Sequence, residues 1–597
     1  MKLVVSKSKN AASFYVTKSV YDKGSTTSYV VEKLGTEKEL REKLDGEDPY
    51  EWAQKYVEKL NLEEKESKRR VIVEFSPIKV IPKNQQVSFN GGYLFLQKIY
   101  YGLSMNKICA SIKNKYKFTF NLNQILEYLI YGRILFPASK LATKEIAKTF
   151  IEPANIKIQY FYRSLEYLAK EHDFIQSELY KNSLSLSKRN TKILFYDCTN
   201  FYFEIEQEDE GDRQYGKSKE HRPNPIVEMG LFMDGDGIPL AFGIYPGNTN
   251  EQITLRPLEE KILSDFELSK FVVCTDAGLS SIANRRFNSI EERAFITTQS
   301  IKMLKEFLMN WALDPKGWIL NGKGNHDIAE PDGLYDLVKL EAFYKDSARA
   351  TEEKEILEAY VFYKERWINE DKLEQRMIVT FSLKYKNYQR SIRNGQIERA
   401  QKLIDKNPKK LNKCNANDYK RFIKKEHYTT DGEKADKQLL SIDVSVIDNE
   451  AKFDGFYAVC TNLEGDIDGI IKISKGRWEI EECFRIIKSE FKARPAYLSR
   501  KDRIRAHFMT CFLSLIIYRL LEKQLMPNGD KDNTFTCPQI LETLSNMNFY
   551  KIPHEGFVPI YKRTELTDAL HEKFGFRTDY EILNNKELKK ILKLTKQ

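Results

Sequence analysis

The chain holds 597 residues, more than one compact core accommodates when domains span roughly 100–200 residues, so roughly three or four structural units are expected. Hydrophobic residues make up 41% and charged residues 30%, which excludes a mainly disordered chain. Lysine and arginine number 96 against 86 aspartate and glutamate, a net charge of +10, and this is only a modest lean toward a polyanionic partner.

Met1-Lys2-Leu3-Val4-Val5 runs directly into Ser6-Lys7-Ser8-Lys9-Asn10, too short an apolar run for a secretory signal. The longest apolar stretch, 508–521, is interrupted by Thr510, Ser514 and Arg519 and falls short of the roughly 20 residues a membrane span needs. The eight cysteines form no C-x-x-C pair, which argues against a disulfide framework or a zinc ribbon. A reduced, cytoplasmic chain without a membrane span is expected.

In chain order, 14–17 and 28–31 alternate as strands joined through Asp22-Lys23-Gly24-Ser25, and 36–66 turn Glu- and Lys-rich and helical. A strand-like piece, 70–75, precedes a connection containing Pro77 and Pro82. From 94 to 186 apolar residues recur at three- and four-residue spacing, which predicts helices with lysine-rich faces. A DNA-binding module and an all-helical packing domain fit this region equally. The character changes at Lys192: Ile193-Leu194-Phe195-Tyr196 is a continuous apolar run closed by Asp197, the mark of a strand buried on both faces. Asp234-Gly235-Asp236-Gly237 joins two further strands as a hairpin, 251–263 reads as a helix, and 271–275 is a second buried strand closed by Asp276. A strand at 294–298 completes the order strand, hairpin, helix, strand, strand, which is that of an RNase H-like core.

Residues 300–465 interrupt this core, first with helical and charged sequence. Between Lys384 and Lys425 the chain carries 14 basic and 3 acidic residues, with Tyr385, Tyr388, Tyr419 and Phe422 among them. Such a stretch suits phosphate contact and base stacking, and a solvated helix pair explains it as well. Strands are expected at 440–447 and 455–460, a helix at 477–490, a long apolar helix at 503–525, and short helices and loops beyond 538. The fold class expected is therefore α/β and multidomain: a 1–90 β/α module, a helical 91–187 region, an RNase H-like core in two parts at 188–300 and 466–527, an insertion at 301–465, and a 528–597 tail.

Two aspartates closing neighbouring buried strands fall on one edge of a sheet, where carboxylate oxygens suit Mg²⁺ or Mn²⁺. The helix Arg477-Trp478-Glu479-Ile480-Glu481-Glu482-Cys483-Phe484-Arg485-Ile486-Ile487-Lys488 places 477, 481, 484 and 488 on one face, and so offers a third carboxylate, Glu481. An ordinary surface helix with an Arg477–Glu481 ion pair presents the same residues. Gly317-Trp318-Ile319-Leu320-Asn321-Gly322-Lys323-Gly324 fits G-x4-G-K, yet a phosphate-binding loop needs Ser or Thr where Gly324 stands, so no nucleotide cofactor is expected.

With these residues in order, the chain resembles the DDE transposases of bacterial insertion sequences, in the broad insertion-sequence "four" superfamily. Members carry an Asp after the first strand, an Asp after the fourth, a β-rich insertion, and a helix with the pattern Y-x2-R-x3-E-x6-K. Arg477, Glu481 and Lys488 keep the R-x3-E-x6-K spacing, while the tyrosine position is Ser474. Tyr196-Asp197-Cys198-Thr199, Lys217-Ser218-Lys219-Glu220-His221-Arg222-Pro223, Gly237-Ile238-Pro239-Leu240, Pro246-Gly247-Asn248-Thr249 and Thr275-Asp276-Ala277-Gly278 match as well. So does Arg133-Ile134-Leu135-Phe136-Pro137-Ala138-Ser139-Lys140-Leu141, a segment of some larger members. The match is strong over 190–300 and 455–525, weaker over 90–190, and vague in the first 80 residues and the tail.

The resemblance implies cleavage of transposon ends and strand transfer into target DNA, with Asp197, Asp276 and Glu481 as the catalytic carboxylates holding two Mg²⁺ or Mn²⁺ ions. It implies phosphate contacts from Arg477, Arg485, Lys488, Lys217, His221 and Arg222, double-stranded DNA as partner, and a homodimer. A DNA-binding relic of a transposase would be expected to lose carboxylates that are all present. A free-standing RNase H-like nuclease would not need the long N-terminal region or the basic insertion.

Overall fold

The computed structural model describes residues 1–597 apart from 9–10, 23–24, 45, 68–70, 74, 323–328, 332, 347–349, 407–417, 429–436 and 527–534. The chain forms two compact units, Met1–Gln85 and Gln86–Gln597.

In the first unit, strands Lys2–Ser8, Ala11–Asp22 and Ser25–Thr36 form an antiparallel sheet in that order. Alternate residues Ala12, Phe14 and Val16 are buried, and Ala12 and Phe14 meet Leu40 and Ala53 of helices Glu37–Lys43 and Pro49–Ser67. Thr36 stops the last strand by capping the first helix: its hydroxyl accepts from the Glu39 N–H at 3.3 Å, and the Glu39 carboxylate accepts from the Thr36 N–H at 2.8 Å. The strand expected at 70–75 is not formed over its described residues, 71–73 and 75. Ile72 and Phe75 are 91% and 72% exposed, and without a sheet edge to pair with, an apolar β-branched run stays extended coil. Arg70, Glu74 and the turn at 23–24 lie outside the described residues.

The second unit is built on a nine-stranded mixed sheet. Its order is Ile319–Leu320, Phe362–Glu370, Leu373–Phe381, Phe456–Thr461, Ala294–Gln299, Val272–Thr275, Ile193–Tyr202, Ile226–Asp234 and Pro239–Pro246. The Asp197 strand runs parallel to Val272–Thr275, which runs parallel to Ala294–Gln299; the other pairings are antiparallel. Asp234 closes the hairpin of Ile226–Asp234 and Pro239–Pro246, at one edge of the sheet, by accepting the N–H of Asp236 at 3.0 Å and of Ile238 at 2.9 Å. Gly237 supplies the left-handed residue there, at φ +78°.

Helices Tyr93–Gly102, Met105–Tyr116, Leu122–Leu135, Lys140–Ile146, Ile158–Lys170 and His172–Leu186 realise the helical 94–186 region. They share one core with helix Lys501–Leu525, which packs against Leu122–Leu135, Ile158–Lys170 and strand Pro239–Pro246. That helix is long and apolar enough by length and composition to cross a membrane, and most of it is buried inside the protein. Seven cysteines are described, all free and buried.

The insertion differs from its expected form. A hairpin, Phe362–Glu370 and Leu373–Phe381, joins the central sheet through Phe456–Thr461, where helical, charged sequence was expected. The strand expected over 440–447 stops at Ile442, because Asp443 caps helix Val444–Ala451 by accepting from the Ser445 and Val446 N–H groups. Phe422, expected among the exposed stacking aromatics, is fully buried with Ala400 and Ile423. Tyr385 and Tyr388 do reach solvent, and their rings stack at 6.4 Å. Lys323 and Gly324 lie outside the described residues.

The tail holds helices Cys537–Asn546, Glu565–Phe574 and Asn585–Leu594 together with strands not expected from the sequence. Leu583–Asn584, Gly556–Pro559, Asn548–Ile552 and Ser88–Asn90 form a four-stranded sheet in that order. The Asn90 amide locks it by donating to the carbonyls of Leu544 and Ser545, each at 3.0 Å.

Candidate active site

Asp197 and Asp276 owe their proximity to unequal strand lengths. The parallel pairing between their strands ends at Phe195 opposite Cys274, so Asp197 lies on the stretch that overruns its neighbour, and Asp276 comes directly after Thr275. Asp276 caps the short turn Ala277–Leu279 by accepting from the Leu279 N–H at 3.1 Å. Asp197 is 8% exposed and accepts from the Cys198 N–H at 2.7 Å. Burial pushes its carboxyl up to about 6; Lys219 works against this and the Asp276 charge adds to it.

Glu481 stands on helix Trp478–Arg485 with its side chain 59% exposed, 3.3 Å from the Arg477 guanidinium. Arg477, against the cost of its burial, is pushed up by the charges of Tyr457, Asp197, Glu481 and Asp276. The oxygens of the three carboxylates are not drawn within 4.8 Å of one another. Among the described residues the group that meets that spacing is Asp568, His571 and Asp579. There Arg577 already pairs with Asp568 at 2.9 Å and with Asp579 at 2.6 Å.

The α-helix ends at Arg485 and continues as a π-helical turn, Ile486–Glu490, so Lys488 lies past the regular helix that carries Glu481. Its ammonium donates to the Thr199 hydroxyl at 2.6 Å and its side chain is 14% exposed. Burial, then the neighbouring Lys219, pushes it down to about 8, with Glu228 and Asp197 opposing. Phe484 is buried, and Arg485 is exposed and paired with Glu482.

The turn after Lys488 is held from the helical region. Arg133 donates to the Phe491 carbonyl at 3.0 Å, while His507 Nε2 lies 3.1 Å from the Ala493 carbonyl and must donate there. His507 Nδ1 is then the acceptor for Lys140, 3.0 Å away, and burial pushes the Lys140 amine down to about 7.

The loop after the Asp197 strand is clamped by Asn200, whose side chain donates to the Lys217 carbonyl at 3.1 Å and accepts from the Lys219 N–H at 3.2 Å. Lys217, His221 and Arg222 are exposed there; His221 is left-handed at φ +56°, and the Arg222 guanidinium stacks 4.5 Å over the Tyr202 ring. At Ser474, the hydroxyl of Tyr457 arrives from the neighbouring strand at 3.4 Å, while also bonding Thr298 at 2.7 Å.

Three charged residues here were not singled out from the sequence. Lys219 lies 3.0 Å from Glu251 and donates to the Cys198 carbonyl beside Asp197. Glu228, 3% exposed, is pushed up to about 8 by burial and then by Glu251. The signal for Glu228 was available, since it is the one ionisable side chain inside an otherwise apolar strand run, 226–233.

No protein-family model matches the chain, and no curated protein matches it. A cryo-EM structure of a piggyBac transposase synaptic complex with hairpin DNA superposes with a TM-score of 0.35 at 8% identity, over 86% of this chain and 88% of that one.

Proposed function

We propose that this protein is a DDE-type transposase, an RNase H-like polynucleotidyl transferase that cuts transposon ends and joins them to target DNA. The observation that carries the reading is the placement of Asp197, on the stretch of its strand that overruns the neighbour, and of Asp276, directly after that neighbour ends, with Arg477 paired to Glu481. The order Pro239–Pro246, Ile226–Asp234, Ile193–Tyr202, Val272–Thr275, Ala294–Gln299, with its first three strands antiparallel and its last three parallel, supports the RNase H-like assignment.

The donors suit a hard divalent cation: they are carboxylates, and Asp197 is a buried one with the Asp276 charge nearby. Asp197, Asp276 and Glu481 would hold Mg²⁺ or Mn²⁺, two ions in all. When bound, such ions supply Lewis-acid activation of a water or 3′-hydroxyl nucleophile and stabilise the leaving oxygen. The chain's own groups orient and balance that charge. Arg477 restrains Glu481, Asn200 fixes the loop of Lys217 and Lys219, and Lys488 brings an ammonium to Thr199 of the Asp197 strand. Lys217, His221, Arg222 and Arg485 stand exposed for DNA phosphates. The partners are double-stranded DNA at terminal repeats and target, a second copy of the chain as homodimer, and the setting is cytoplasmic.

The test is cleavage of end-labelled DNA carrying the element's own terminus, with Mg²⁺ or Mn²⁺, beside Asp197→Ala. Metal-dependent cutting lost in the variant is expected. Specific binding without cutting under both metals would overturn the enzyme and leave a DNA-binding relic, and cutting without regard to the terminus would leave a nuclease.

A further inference from the structure

Resting on that reading, we propose that Glu251 belongs to the divalent-cation site beside Asp276 and Asp197, and that the Lys219 ammonium competes with the cation for these carboxylates. Nothing in the motif that suggested the three carboxylates includes Glu251; its place comes from packing.

Gly278 shows how close the groups come. A methyl carbon built on it would sit 3.4 Å from Asp276 Oδ1 and 3.7 Å from Glu251 Oε2, so the two carboxylates flank the same small space. The backbone of Glu251 is tied to the Asp197 strand. Its carbonyl accepts the Thr254 hydroxyl at 2.6 Å, and Thr254 Oγ1 in turn lies 2.7 Å from the hydroxyl of Tyr196, the residue before Asp197. The side chain is 30% exposed, so an ion from solvent can reach it.

A cation already occupies this charge pattern. The Lys219 ammonium sits 3.0 Å from Glu251 Oε1 and bonds the Cys198 carbonyl, and its charge is supported by Asp197, Glu251 and Glu228. A single ammonium leaves the set incompletely satisfied. Glu228, on the adjacent strand and 3% exposed, keeps its Oε1 without a hydrogen-bond partner, and the charges it feels are those of Glu251, Lys219 and Lys488. A buried orphan oxygen beside this cluster calls for a further donor or a metal's hydration shell. A divalent ion taken by Asp276, Asp197 and Glu251 leaves Lys219 free to move to a phosphate, since its side chain is 39% exposed.

The probe is Mn²⁺ binding to the full chain, monitored by the electron paramagnetic resonance signal of the free ion, without DNA. Glu251→Gln is expected to weaken binding about tenfold, and Lys219→Met, which removes the competitor, to tighten it severalfold. Tightening by Lys219→Met is a result that loss of a structural ion pair cannot produce. Should Glu251→Gln bind Mn²⁺ as the wild type does while Asp276→Asn binds poorly, Glu251 is no ligand and the transposase reading survives. Wild-type binding in Glu251→Gln, Asp197→Asn and Asp276→Asn alike would remove the metal site itself. A Lys219→Met protein that binds no more tightly would overturn the competition.

Discussion

Glu259 offers a stability test whose sign and size are both set by its surroundings. It lies on helix Leu255–Asp265 with 0% exposure, accepts from the Asn288 amide at 3.1 Å through Oε2, and leaves Oε1 unpartnered. Burial pushes its carboxyl from 4.5 up to about 7, with Asn288 and Arg293 opposing. Below pH 4.5 the folded and unfolded chains both hold the proton and the residue costs nothing by ionisation. Between pH 4.5 and 7 the unfolded chain releases it while the folded chain retains it, so stability falls by about 1.4 kcal/mol per pH unit. Above pH 7 the loss is complete, at about 3 kcal/mol. Glu259→Gln removes the ionisation and keeps an oxygen for Asn288. For a unit of about 500 residues, an unfolding entropy near 2 cal/mol/K per residue makes 1 kcal/mol worth about 1 °C in Tm. The variant should therefore melt within about 1 °C of wild type at pH 4.5 and roughly 3 °C above it at pH 8. Thermal melts from pH 4.5 to 8.5 measure this. A difference that does not change with pH would refute the reasoning, and so would a variant less stable at pH 8.

Two further substitutions probe how the active-site helix is held. Gly237→Ala forces a left-handed residue at φ +78° to carry a methyl group 1.9 Å from Glu479 Oε2, and should lower stability by at least about 1 kcal/mol; an unchanged melting temperature would show that the hairpin yields. At pH 8, where its amine is largely neutral, Lys140→Met should cost the His507 hydrogen bond, about 1 kcal/mol, and raise amide exchange over 486–493 roughly fivefold. Exchange confined to its wild-type rate would mean that Arg133 and His507 hold the turn without Lys140.

How much of this was legible in the sequence depended on how locally each feature is encoded. Asp197 and Asp276 stood out because an apolar run that stops at a carboxylate is a short-range pattern; Asp276 does follow directly on its strand, whereas the first strand runs on through Asp197 to Tyr202, carried by its pairing with Ile226–Asp234. Residues 362–381 carry Lys364, Glu365, Arg366, Glu370 and Glu374 among their apolar residues, and these charges hide the alternation until a sheet edge accepts the hairpin. The π-helical turn at Ile486 cannot be read from spacing, because an R-x3-E-x6-K pattern is compatible with either winding. It takes Arg133 and His507, distant in sequence, to fix the backbone at Phe491 and Ala493. Lys219 and Glu251 were hidden for a related reason: each belongs to a turn, and only the packing of Thr254 against Tyr196 brings the second toward the first.

The pairing of Ser88–Asn90 with Asn548–Ile552 has a consequence for how the protein is made. Asn90 waits for carbonyls 454 and 455 positions further along the chain. At roughly 5–20 residues per second of synthesis, that is on the order of 20 to 90 s during which Phe89 and its neighbours lack their partners on the growing polypeptide. Pairing across so long a loop comes late and slowly. The helical region therefore emerges from the ribosome with an open sheet edge, a natural place for a chaperone to act.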